Sequence, residues 1–469
     1  MTYQVPQHID PNKIFLVNRS EIKGRLDPKM ALYNKKVQHA LFPMVKLKNL
    51  LLSKPQYGAN EAGFDRLNNT QPRYIRITDI DENGLISINE LGATVANVDE
   101  KYILNNDDIL IARSGATVGK AYLHKKLPYT CLYAGYLIRF LVDPQKILPG
   151  YLFSYTQLNS YKEWVNAIQR PSAQPNINAE EYQSIEIPLP DLPKQKEIVD
   201  FLSDAYLKKQ QKEQQSETVL NNIDDYLLCE LGVKLPIIRN NLKDRIFLLN
   251  RRDLEGRFDP TVYKNGIKLL SPKWDNVILS KVAFVNPGGT YKGEKTETPI
   301  SFVPMEVVDE VFSEITTMEE TSIEQSSGFT KFKEGDLLWA KITPCMQNGK
   351  SAIARNLTNG LGCGSTEFFV LRPKDERLAI EFLHVILHMK CVRETAMLYF
   401  GGSAGQQRVS SSFLENFNLP LPPKEKQVEI ANHVYTMRQH AKMLQQEGKE
   451  ILERAKQKAE AMILGKVTK

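Results

Sequence analysis

The sequence predicts an α+β protein with two similar modules, each a mixed sheet with helices, separated by two long helices that form an antiparallel coiled coil. The main observation is a duplication: Pro188-Leu189-Pro190 recurs as Pro420-Leu421-Pro422, 232 residues later (420 minus 188). A long helical pattern follows each copy. Repetition over so long a period is typical of tandem structural copies, which we expect to be related by a pseudo-twofold axis.

The composition is that of a globular protein large enough for two or three domains. The chain has 469 residues, of which 42% are apolar and 25% are charged. No apolar run reaches the roughly 18 residues that cross a bilayer, and no signal peptide precedes the first module, so we expect a cytoplasmic protein. The net charge of +6 and the pI of 8.8 are mildly basic. They permit a nucleic acid as partner without establishing one.

The cysteines argue against a disulfide framework and against a zinc site. There are five of them, an odd number, widely scattered and without a Cys-x-x-Cys pair. We expect reduced, buried thiols and no metal.

The repeat defines the boundaries along the chain. Residues 1–12 match nothing later, whereas Ile14 to Arg19 matches Ile246 to Arg251, and Gly24 to Pro28 matches Gly256 to Pro260. The predicted segments are a flexible tail at 1–12, a first module at 13–190, a first long helix at 191–235, a second module at 236–422 and a second long helix at 423–469.

Short β-rich runs separated by turns fill each module. Asp108 to Arg113 and Tyr136 to Phe140 have the length and composition of strands, and Asp336 to Lys341 and Glu367 to Leu371 correspond to them in the second copy. A helical segment then follows in both copies. Each module is therefore expected to be a mixed α+β unit with a twisted sheet at its centre.

Each module ends in a proline-rich entry to a long helix, where proline suits the first turn. Apolar residues then recur at alternating steps of four and three, the heptad pattern of a coiled coil, with a polar break at Lys458. In the first helix Lys209, Lys212 and Ser216 occupy heptad positions, so we expect a hydrated or irregular centre of the helix pair. The residues predicted for the coiled-coil spacer are Ile198, Leu202, Ala205, Val219, Ile223, Tyr226, Ile430, Val434, Met437, Ala441, Leu444, Ile451, Ala455 and Met462.

Several catalytic signatures fail on spacing. Gly115 to Lys120 resembles a phosphate loop, but three residues separate its glycines where four are required, and the run ending in Gly349 to Ser351 lacks the first glycine. His384 and His388 are four residues apart without the glutamate of a zinc protease, and we expect ordinary helix histidines. The glycine-rich run at 401–405 lacks the spacing of a dinucleotide site. The sequence also contains no methyltransferase motif for holding a target nitrogen, so no catalytic constellation is predicted.

Basic, polar and aromatic residues lie near the predicted loops, at matching places in both modules. Arg and Lys can bind phosphates or guanine acceptors, and Gln and Asn can pair with adenine. Any one of them could be an ordinary solvated surface residue, but Arg113 matches Lys341 and Lys120 matches Lys350 in the repeat. The candidate DNA-binding residues are Tyr57, Arg73, Arg76, Arg113, Ser114, Lys120, Arg170, Gln174, Tyr291, Lys292, Lys341, Gln347, Asn348, Lys350, Gln406, Gln407 and Arg408.

Taken together, these motifs resemble the specificity (S) subunit of Type I restriction-modification systems. The resemblance covers nearly the whole chain from about residue 13. Its motifs are Ile187 to Ile198 and Leu419 to Ile430, each opening a long helix, Gly24 to Pro28 with its copy, the strand Gly335 to Leu338, and Gly364 to Phe368.

The resemblance implies two target recognition domains, each reading one half of a bipartite, asymmetric sequence in double-stranded DNA, with a coiled coil whose length fixes the spacer. It implies that the chain is not an enzyme, and that two adenine-N6 methyltransferase subunits and restriction/translocase subunits assemble with it. S-adenosylmethionine, ATP and Mg would bind to those partners. This chain would hold no cofactor and contact no membrane.

Three alternatives stay open on the residues alone. A fused restriction-modification enzyme, or a nuclease with an unrecognised site, would methylate or cleave DNA by itself. A protein-binding adaptor would use the coiled coil as its functional part. A specificity component of a related DNA-modification defence system would share the same fold.

Overall fold

The computed structural model describes residues 16, 28–37, 40–87, 90–169, 175–236, 260–402 and 406–465. The predicted tail at 1–12 and the repeated motif at 246–251 lie outside the described residues. The chain divides into two compact units, one formed by 1–211 with 447–469 and the other by 212–446. This division passes through both long helices, whereas the sequence repeat places the module boundaries at the helix ends.

The first unit contains the first module and parts of both long helices. Its elements in chain order are α1 (Pro28–Val37), β1 (Met44–Lys46), β2 (Gln56–Tyr57), β3 (Phe64–Asp65), β4 (Arg73–Ile75), β5 (Ala93–Thr94), β6 (Ile109–Ala112), β7 (Ala121–Leu123), β8 (Cys131–Tyr133), β9 (Leu137–Phe140), α2 (Pro149–Thr156), α3 (Asn159–Ile168), α4 (Ala179–Gln183), β10 (Glu186–Pro188) and α5 (Leu192–Leu231). Helix α5 continues into the second unit.

The second unit contains the second module. Its elements are α6 (Pro260–Asn265), β11 (Asp275–Ile278), α7 (Leu279–Val282), β12 (Ala283–Val285), β13 (Pro299–Val303), β14 (Glu319–Ser322), β15 (Thr330–Lys333), β16 (Leu337–Ala340), α8 (Cys345–Asn348), β17 (Ser351–Ile353), β18 (Leu361–Gly364), β19 (Phe368–Pro373), α9 (Ile380–His388), α10 (Lys390–Met397), β20 (Phe400–Gly401), β21 (Arg408–Val409), α11 (Ser411–Glu415), β22 (Asn418–Leu421) and α12 (Lys424–Leu464). Helix α12 continues into the first unit.

Two four-stranded sheets form the first module. One is antiparallel with the order β2-β9-β6-β7, and the other has the order β3-β5-β4-β8, in which β4 and β8 are parallel. Every residue of the central strand β6 is buried. Ile109 and Ile111 face one apolar cluster while Leu110 and Ala112 face another, as the alternation of side chains along a strand requires. Strand β6 is therefore packed on both faces, like a strand at the centre of a domain.

The second module repeats this topology. Its sheets have the orders β12-β19-β16-β17 and β14-β13-β18-β15, and β13 pairs with β18 in parallel as β4 pairs with β8. The copies differ at the edges of this second sheet, because β3 extends it beyond β5 in the first module, whereas β15 extends it at the opposite edge, beyond β18, in the second. A two-stranded sheet precedes each long helix, β1-β10 or β11-β22. The sequence repeat is thus a repeat of strand order.

A buried ion pair recurs at the start of the central strand of each module. Asp108 accepts a hydrogen bond of 3.4 Å from Arg139 of β9, and Asp336 accepts two of 2.7 Å from Arg372 of β19. Both carboxylates are almost fully buried, and burial raises the pKa of Asp108. Removing one member of such a pair leaves an uncompensated buried charge, so these pairs are strongly constrained by the fold.

The two long helices pair in opposite directions within each unit. In the first unit, Ile198 near the start of α5 shares an apolar core with Ile463 near the end of α12. In the second unit, Leu231 at the end of α5 shares a core with Ile430 near the start of α12. This is the antiparallel pairing predicted from the repeat. Because half of each helix belongs to each core, the compact units include helix halves.

The buried face of α12 departs from the predicted heptads near its end. Leu452, Ala459 and Ile463 are buried, whereas the sequence pattern placed Ile451, Lys458 and Met462 at those steps. Lys458 is exposed, so the expected polar break is absent from this seam. From Ile430 to Ile463, 33 residues in nine steps, the buried face advances about 3.7 residues per step, closer to the 3.6 of a regular α-helix than to 3.5. The other predicted spacer residues are buried or half-buried.

Helix α5 is continuous at the place where the sequence predicted a hydrated or irregular centre of the helix pair. The helix runs without interruption from Leu192 to Leu231. Ser216 is fully buried, and its hydroxyl donates a hydrogen bond of 2.9 Å to the carbonyl oxygen of Ala441 on α12. A small hydroxyl side chain satisfied by the facing backbone lets the two helices approach closely at this point.

Three general features complete the fold. Within the described ranges, no helix is long and apolar enough to cross a bilayer. All five cysteines are free, and the expectation that they are buried is wrong for Cys229, which is exposed, and holds only in part for Cys345, which is half-buried. The described residues contain no group of three or more His, Cys, Asp or Glu side chains that could hold a metal ion.

Candidate nucleic-acid interface

In the first module, Arg113 lies directly after the central strand β6. Its amide donates to the carbonyl of Tyr136 (3.0 Å), and its own carbonyl accepts from the amide of Ile177 (2.8 Å). The next residue, Ser114, forms an isolated β-bridge with Asn176. Hydrogen bonds on both sides therefore fix the backbone of Arg113 between two other chain segments.

The second module repeats this backbone arrangement around Lys341. The amide of Lys341 donates to the carbonyl of Glu367 (2.9 Å), and its carbonyl accepts from the amide of Val409 (2.9 Å). The next residue, Ile342, forms a β-bridge with Arg408. Lys341 therefore occupies the position in its module that Arg113 occupies in the first.

The side chain of Arg113 lies over an aromatic ring. Its guanidinium carbon is 5.0 Å from the ring centroid of Tyr57 on β2, a favourable position for a cation. The Tyr57 hydroxyl accepts a hydrogen bond of 3.1 Å from the amide of Ala179, which holds the ring in place. Nε of Arg113 is buried without a hydrogen-bond partner, so the terminal nitrogens of the guanidinium are the ones left for a ligand.

At the equivalent place in the second module, positively and negatively charged side chains lie side by side. Nζ of Lys341 is 5.5 Å from the ring centroid of Phe369. Beside it, Arg408 donates two hydrogen bonds of 2.8 Å to the carboxylate of Glu367, and these bonds hold the pKa of Glu367 below its usual value. The two modules therefore present different chemistry at equivalent places.

Lys120 and Lys350, the other matched pair, each hold a turn of their own module. Nζ of Lys120 donates to the carbonyl of Ile80 (2.8 Å), and Nζ of Lys350 donates to that of Met305 (3.2 Å). Both carbonyls lie in short 3-10 turns that follow a strand of the second sheet. Each lysine precedes a strand of the first sheet and so links the two sheets. Both lysines thus have an acceptor within their own module, and the predicted contact with phosphate is tested by the salt dependence of DNA binding.

The structure corrects the prediction that Arg73 belongs to the DNA-binding surface. Its side chain is fully buried, and Nη1 donates to the carbonyl of Ser87 (2.7 Å) and to the hydroxyl of Tyr129 (3.3 Å). The prediction that Arg73 contacts DNA is wrong, because its charged end is enclosed by its own module. Sequence reasoning could not see this, since arginine is rarely buried.

Tyr291 is a second residue whose polar atom is already engaged. Its hydroxyl donates a hydrogen bond of 2.7 Å to the carbonyl of Gly362, and the ring is half-buried with Nζ of Lys331 5.1 Å from its centroid. The proton of the Tyr291 hydroxyl is therefore already donated within the module, and the ring lies beside an exposed lysine.

The remaining candidates differ in exposure. Arg76 is tied to Asp79 by an ion pair of 3.0 Å, and Asn348 donates to the carboxylate of Glu310 at 3.2 Å. Lys292 and Gln406 are exposed, and Ser114, Gln347 and Gln407 are half-buried. Arg170 and Gln174 lie outside the described residues.

Several surface residues near these positions were not among the sequence candidates. Tyr136, in the turn between β8 and β9, is 59% exposed, and its carbonyl accepts from Arg113. Lys331 lies on the edge strand β15, and Glu367 pairs with Arg408. A tyrosine in a turn between two buried strands is a signal that could have identified Tyr136.

His384 and Ser351 form a polar pair that is too enclosed to be catalytic. His384 Nε2 lies 3.1 Å from Ser351 Oγ, but both residues are buried. Burial, assisted by the charge of Arg438, lowers the pKa of His384 to about 3. The two side chains therefore satisfy each other's hydrogen-bonding groups inside the second module, in line with the expectation of ordinary helix histidines.

Comparison with known proteins agrees with the duplicated architecture. The sequence model of the family described as the Type I restriction modification DNA specificity domain matches residues 57–222 and 273–453. Each match covers most of one module and continues into the long helix that follows it. The matched residues make up well over half of the chain.

Individual relatives carry the same description. Over 160 residues, 34% of this chain, the sequence is 37% identical to the specificity subunit of the type I restriction enzyme EcoEI of Escherichia coli. The match spans 26% of that subunit, so this chain aligns with only about a quarter of its length. The specificity subunit of the type I restriction enzyme MjaVIII of Methanocaldococcus jannaschii is 22% identical over 376 residues, 78% of this chain and 81% of that protein.

One solved structure aligns with the chain over most of its length. It comes from a study of complex assembly and conformational transition of the type I R-M system, with 16% identity, a TM-score of 0.46, and coverage of 90% of this chain and 96% of the other. The two family matches confirm the resemblance stated from the sequence motifs. The chain belongs to the family of Type I restriction modification DNA specificity domains, and it carries two of them in tandem.

Proposed function

We propose that this chain is the non-catalytic DNA-specificity subunit of a Type I restriction-modification complex, and that its two domains read the two halves of a bipartite, asymmetric sequence in double-stranded DNA. The observation that carries the proposal is the tandem match to the specificity domain. A single chain with two such domains has two surfaces for two half-sites.

The chemistry of the equivalent positions supports an asymmetric target. The first module presents Arg113 over Tyr57, whereas the second presents Lys341 beside the pair of Glu367 and Arg408. Arginine and lysine suit guanine acceptors and phosphates, and a carboxylate accepts hydrogen bonds from cytosine. Different side chains at equivalent places would read different bases.

The two long helices would set the gap between the half-sites. Helix α5 has 40 residues and α12 has 41, which correspond to about 60 Å each at 1.5 Å per residue. One turn of DNA is roughly 34 to 36 Å. Helices of this length are therefore sufficient to serve two grooves more than one turn apart.

The helices would also bind the catalytic partners. We infer docking of two adenine-N6 methyltransferase subunits, joined by restriction/translocase subunits, with S-adenosylmethionine, ATP and Mg bound by those partners in the cytoplasm. Val428, Tyr435 and Met443 of α12 are large apolar residues at least 41% exposed. Their spacing of seven and eight residues places them on one side of the helix, as a docking surface requires.

Competition binding tests the proposal. The full-length chain, co-expressed with its methyltransferase, would be incubated with labelled DNA fragments from the host genome, with unlabelled random duplex as competitor. We expect a small set of fragments that resist competition and share a sequence. Equal binding to every duplex would contradict sequence specificity. Absence of DNA binding with retained methyltransferase binding would favour the protein-binding adaptor.

A further inference from the structure

We propose that Arg113 reads a guanine base in the half-site bound by the first module, donating from its terminal nitrogens to O6 and N7 in the major groove. The inference rests on the proposed function and deepens it, because it assigns a specificity-determining residue and the base that this residue selects. It is carried by the juxtaposition of the Arg113 guanidinium with the Tyr57 ring at the end of the central strand.

The guanidinium of Arg113 is held in place before any ligand arrives. The backbone is fixed by hydrogen bonds to Tyr136 and Ile177, and the side chain is supported by the ring of Tyr57, 5.0 Å away. The ring is itself held through the hydroxyl by the amide of Ala179. A planar group supported in this way loses little conformational freedom on binding, and a site on a strand end is positioned more accurately than one on a loop.

Among the described residues, Arg113 has no carboxylate partner of the kind that engages other arginines of this chain. Arg76 pairs with Asp79, Arg139 with Asp108 and Arg408 with Glu367. Among the described residues, none accepts a hydrogen bond from the Arg113 guanidinium or forms an ion pair with it, and its Nε is buried without a partner. A half-buried guanidinium in this state is costly. A ligand with two adjacent acceptors would compensate for that cost.

The chain next to Arg113 is open to solvent. A Cβ added at Gly115, two residues on, would meet nothing within 4 Å, and Tyr136, whose carbonyl accepts from the Arg113 amide, is 59% exposed. The exposed ring can lie against a base or a sugar. A guanine edge offers the two acceptors that match the arginine fork, whereas lysine is a point charge and cannot present two fixed donors.

The second module supplies the substitution that tests this assignment, because its equivalent residue is Lys341. A wild-type target sequence would first be selected by the full-length chain from randomised duplexes. Each base pair of the two half-sites would then be replaced in turn, and the dissociation constants compared for wild type and Arg113→Lys. We expect discrimination to fall by about 5- to 150-fold at a single G·C pair of one half-site. Discrimination elsewhere and the salt dependence should be retained.

Two further variants keep the experiment decisive. Lys125→Met removes a positive charge at the opposite end of β6, where Lys125 pairs with Asp107, and should leave discrimination at that base pair intact. Tyr57→Leu keeps the charge and removes its support, so it should relax discrimination at the same base pair as Arg113→Lys. It also serves as the second test if the arginine variant fails to fold, as checked by circular dichroism.

The contrary outcomes are distinct. Uniform weakening across all sequences by Arg113→Lys, with no single base pair relaxed, would make Arg113 a phosphate contact and overturn the inference. Unchanged discrimination in Arg113→Lys and Tyr57→Leu would show that Arg113 does not contact the DNA bases. Loss of discrimination in Lys125→Met would show that it depends on the net charge of the module and not on Arg113. Failure of the wild-type chain to select any sequence would instead contradict the proposed function itself.

Discussion

Gln427 and Gln195 stand at equivalent positions, 232 residues apart (427 minus 195), and make the same three hydrogen bonds. Both are fully buried in the first turn of a long helix. Oε1 of Gln427 accepts from the amide of Ala379 (2.8 Å), and its Nε2 donates to the carbonyls of Arg377 (2.7 Å) and Pro422 (2.8 Å).

In the first unit, Gln195 repeats this pattern around the start of α5. Its Oε1 accepts from the amide of Leu148 (2.8 Å), and its Nε2 donates to the carbonyls of Lys146 (3.0 Å) and Pro190 (2.9 Å). The amide side chain therefore joins the helix, the proline-rich entry and the loop that precedes the helix of the module. This gives a physical reason for the recurrence of glutamine five residues after the second proline.

Replacing Gln427 with leucine should destabilise the second unit strongly. The substitution leaves one buried amide and two buried carbonyls without their partner, so we expect a loss of about 2 to 4 kcal/mol in the free energy of unfolding. Urea denaturation followed by circular dichroism would measure it. Gln214→Leu, at an exposed position of α5, is the matched control, and an equal effect of the two changes would contradict the assigned role.

Sequence repetition predicted the strands and helices well because it reports backbone constraints. The buried runs around Ile109 and Leu337, the antiparallel helices and the recurring glutamines all depend on side chains that must be apolar or of one shape. The heptad pattern was wrong at Leu452, which is buried where the pattern placed Ile451, for a different reason. Ile451 and Leu452 are both apolar, so the heptad pattern alone could not tell which faces the core.

The stability of the protein should depend more on the size of the side chain at position 216 than on its polarity. The Ser216 hydroxyl donates to the Ala441 carbonyl, which is already an acceptor within α12, so Ser216→Ala should cost only about 0.5 to 1.5 kcal/mol. Ser216→Leu overfills a closely packed helix contact and should cost about 1 to 3 kcal/mol or more. Thermal and urea unfolding of both variants would test this order, which a hydrated centre would abolish or reverse.

Acidification should destabilise the second module through His384. Its pKa is lowered to about 3 in the fold, whereas an unfolded histidine titrates near 6.5. Between these values the unfolded chain binds the additional proton, so stability is present above about pH 6.5 and is lost as the pH falls toward 3. The loss approaches about 1.4 kcal/mol per pH unit.

Urea unfolding at pH 7, 6 and 5 would measure this loss. His384→Gln should reduce the slope of stability against pH by about one proton, with His440→Gln as a composition-matched control. An unchanged slope in the His384 variant would show that another group dominates the acid sensitivity.

The two linking lysines should act on stability and only indirectly on DNA. Because Nζ of Lys120 and Lys350 donates to backbone carbonyls, replacement by methionine should cost about 1 to 3 kcal/mol. The dependence of DNA binding on salt should stay the same. Measured affinities between 50 and 200 mM salt would show a slope lower by about one if the lysines instead neutralised phosphates.

The candidate site was harder to predict than the fold, for reasons visible in particular residues. Arg73 and Arg113 are both arginines beside predicted strands, yet one is enclosed while the other lies at a strand end. Charge and position in the sequence cannot separate them, because the difference lies in which tertiary neighbours cover the side chain. Lys120 looks like a surface cation for the same reason, and its acceptor lies 40 residues away.

Shortening both long helices by one heptad should change the gap in the recognised sequence while leaving each half-site readable. A heptad is about 10.5 Å of helix, or roughly three base pairs at 3.4 Å each. Sequence selection from randomised duplexes with the shortened chain would give the new gap. An unchanged gap would mean that the helices do not set the spacing.

The central claim is that one chain reads two separate half-sites. Its most direct test is a genome-wide map of N6-methyladenine in a methylation-free host that expresses this chain with its methyltransferase partner, compared with the partner alone. We expect one bipartite motif, with two different half-sites at a fixed gap, that appears only when this chain is present. A single contiguous motif, or methylation that is the same without the chain, would contradict the account.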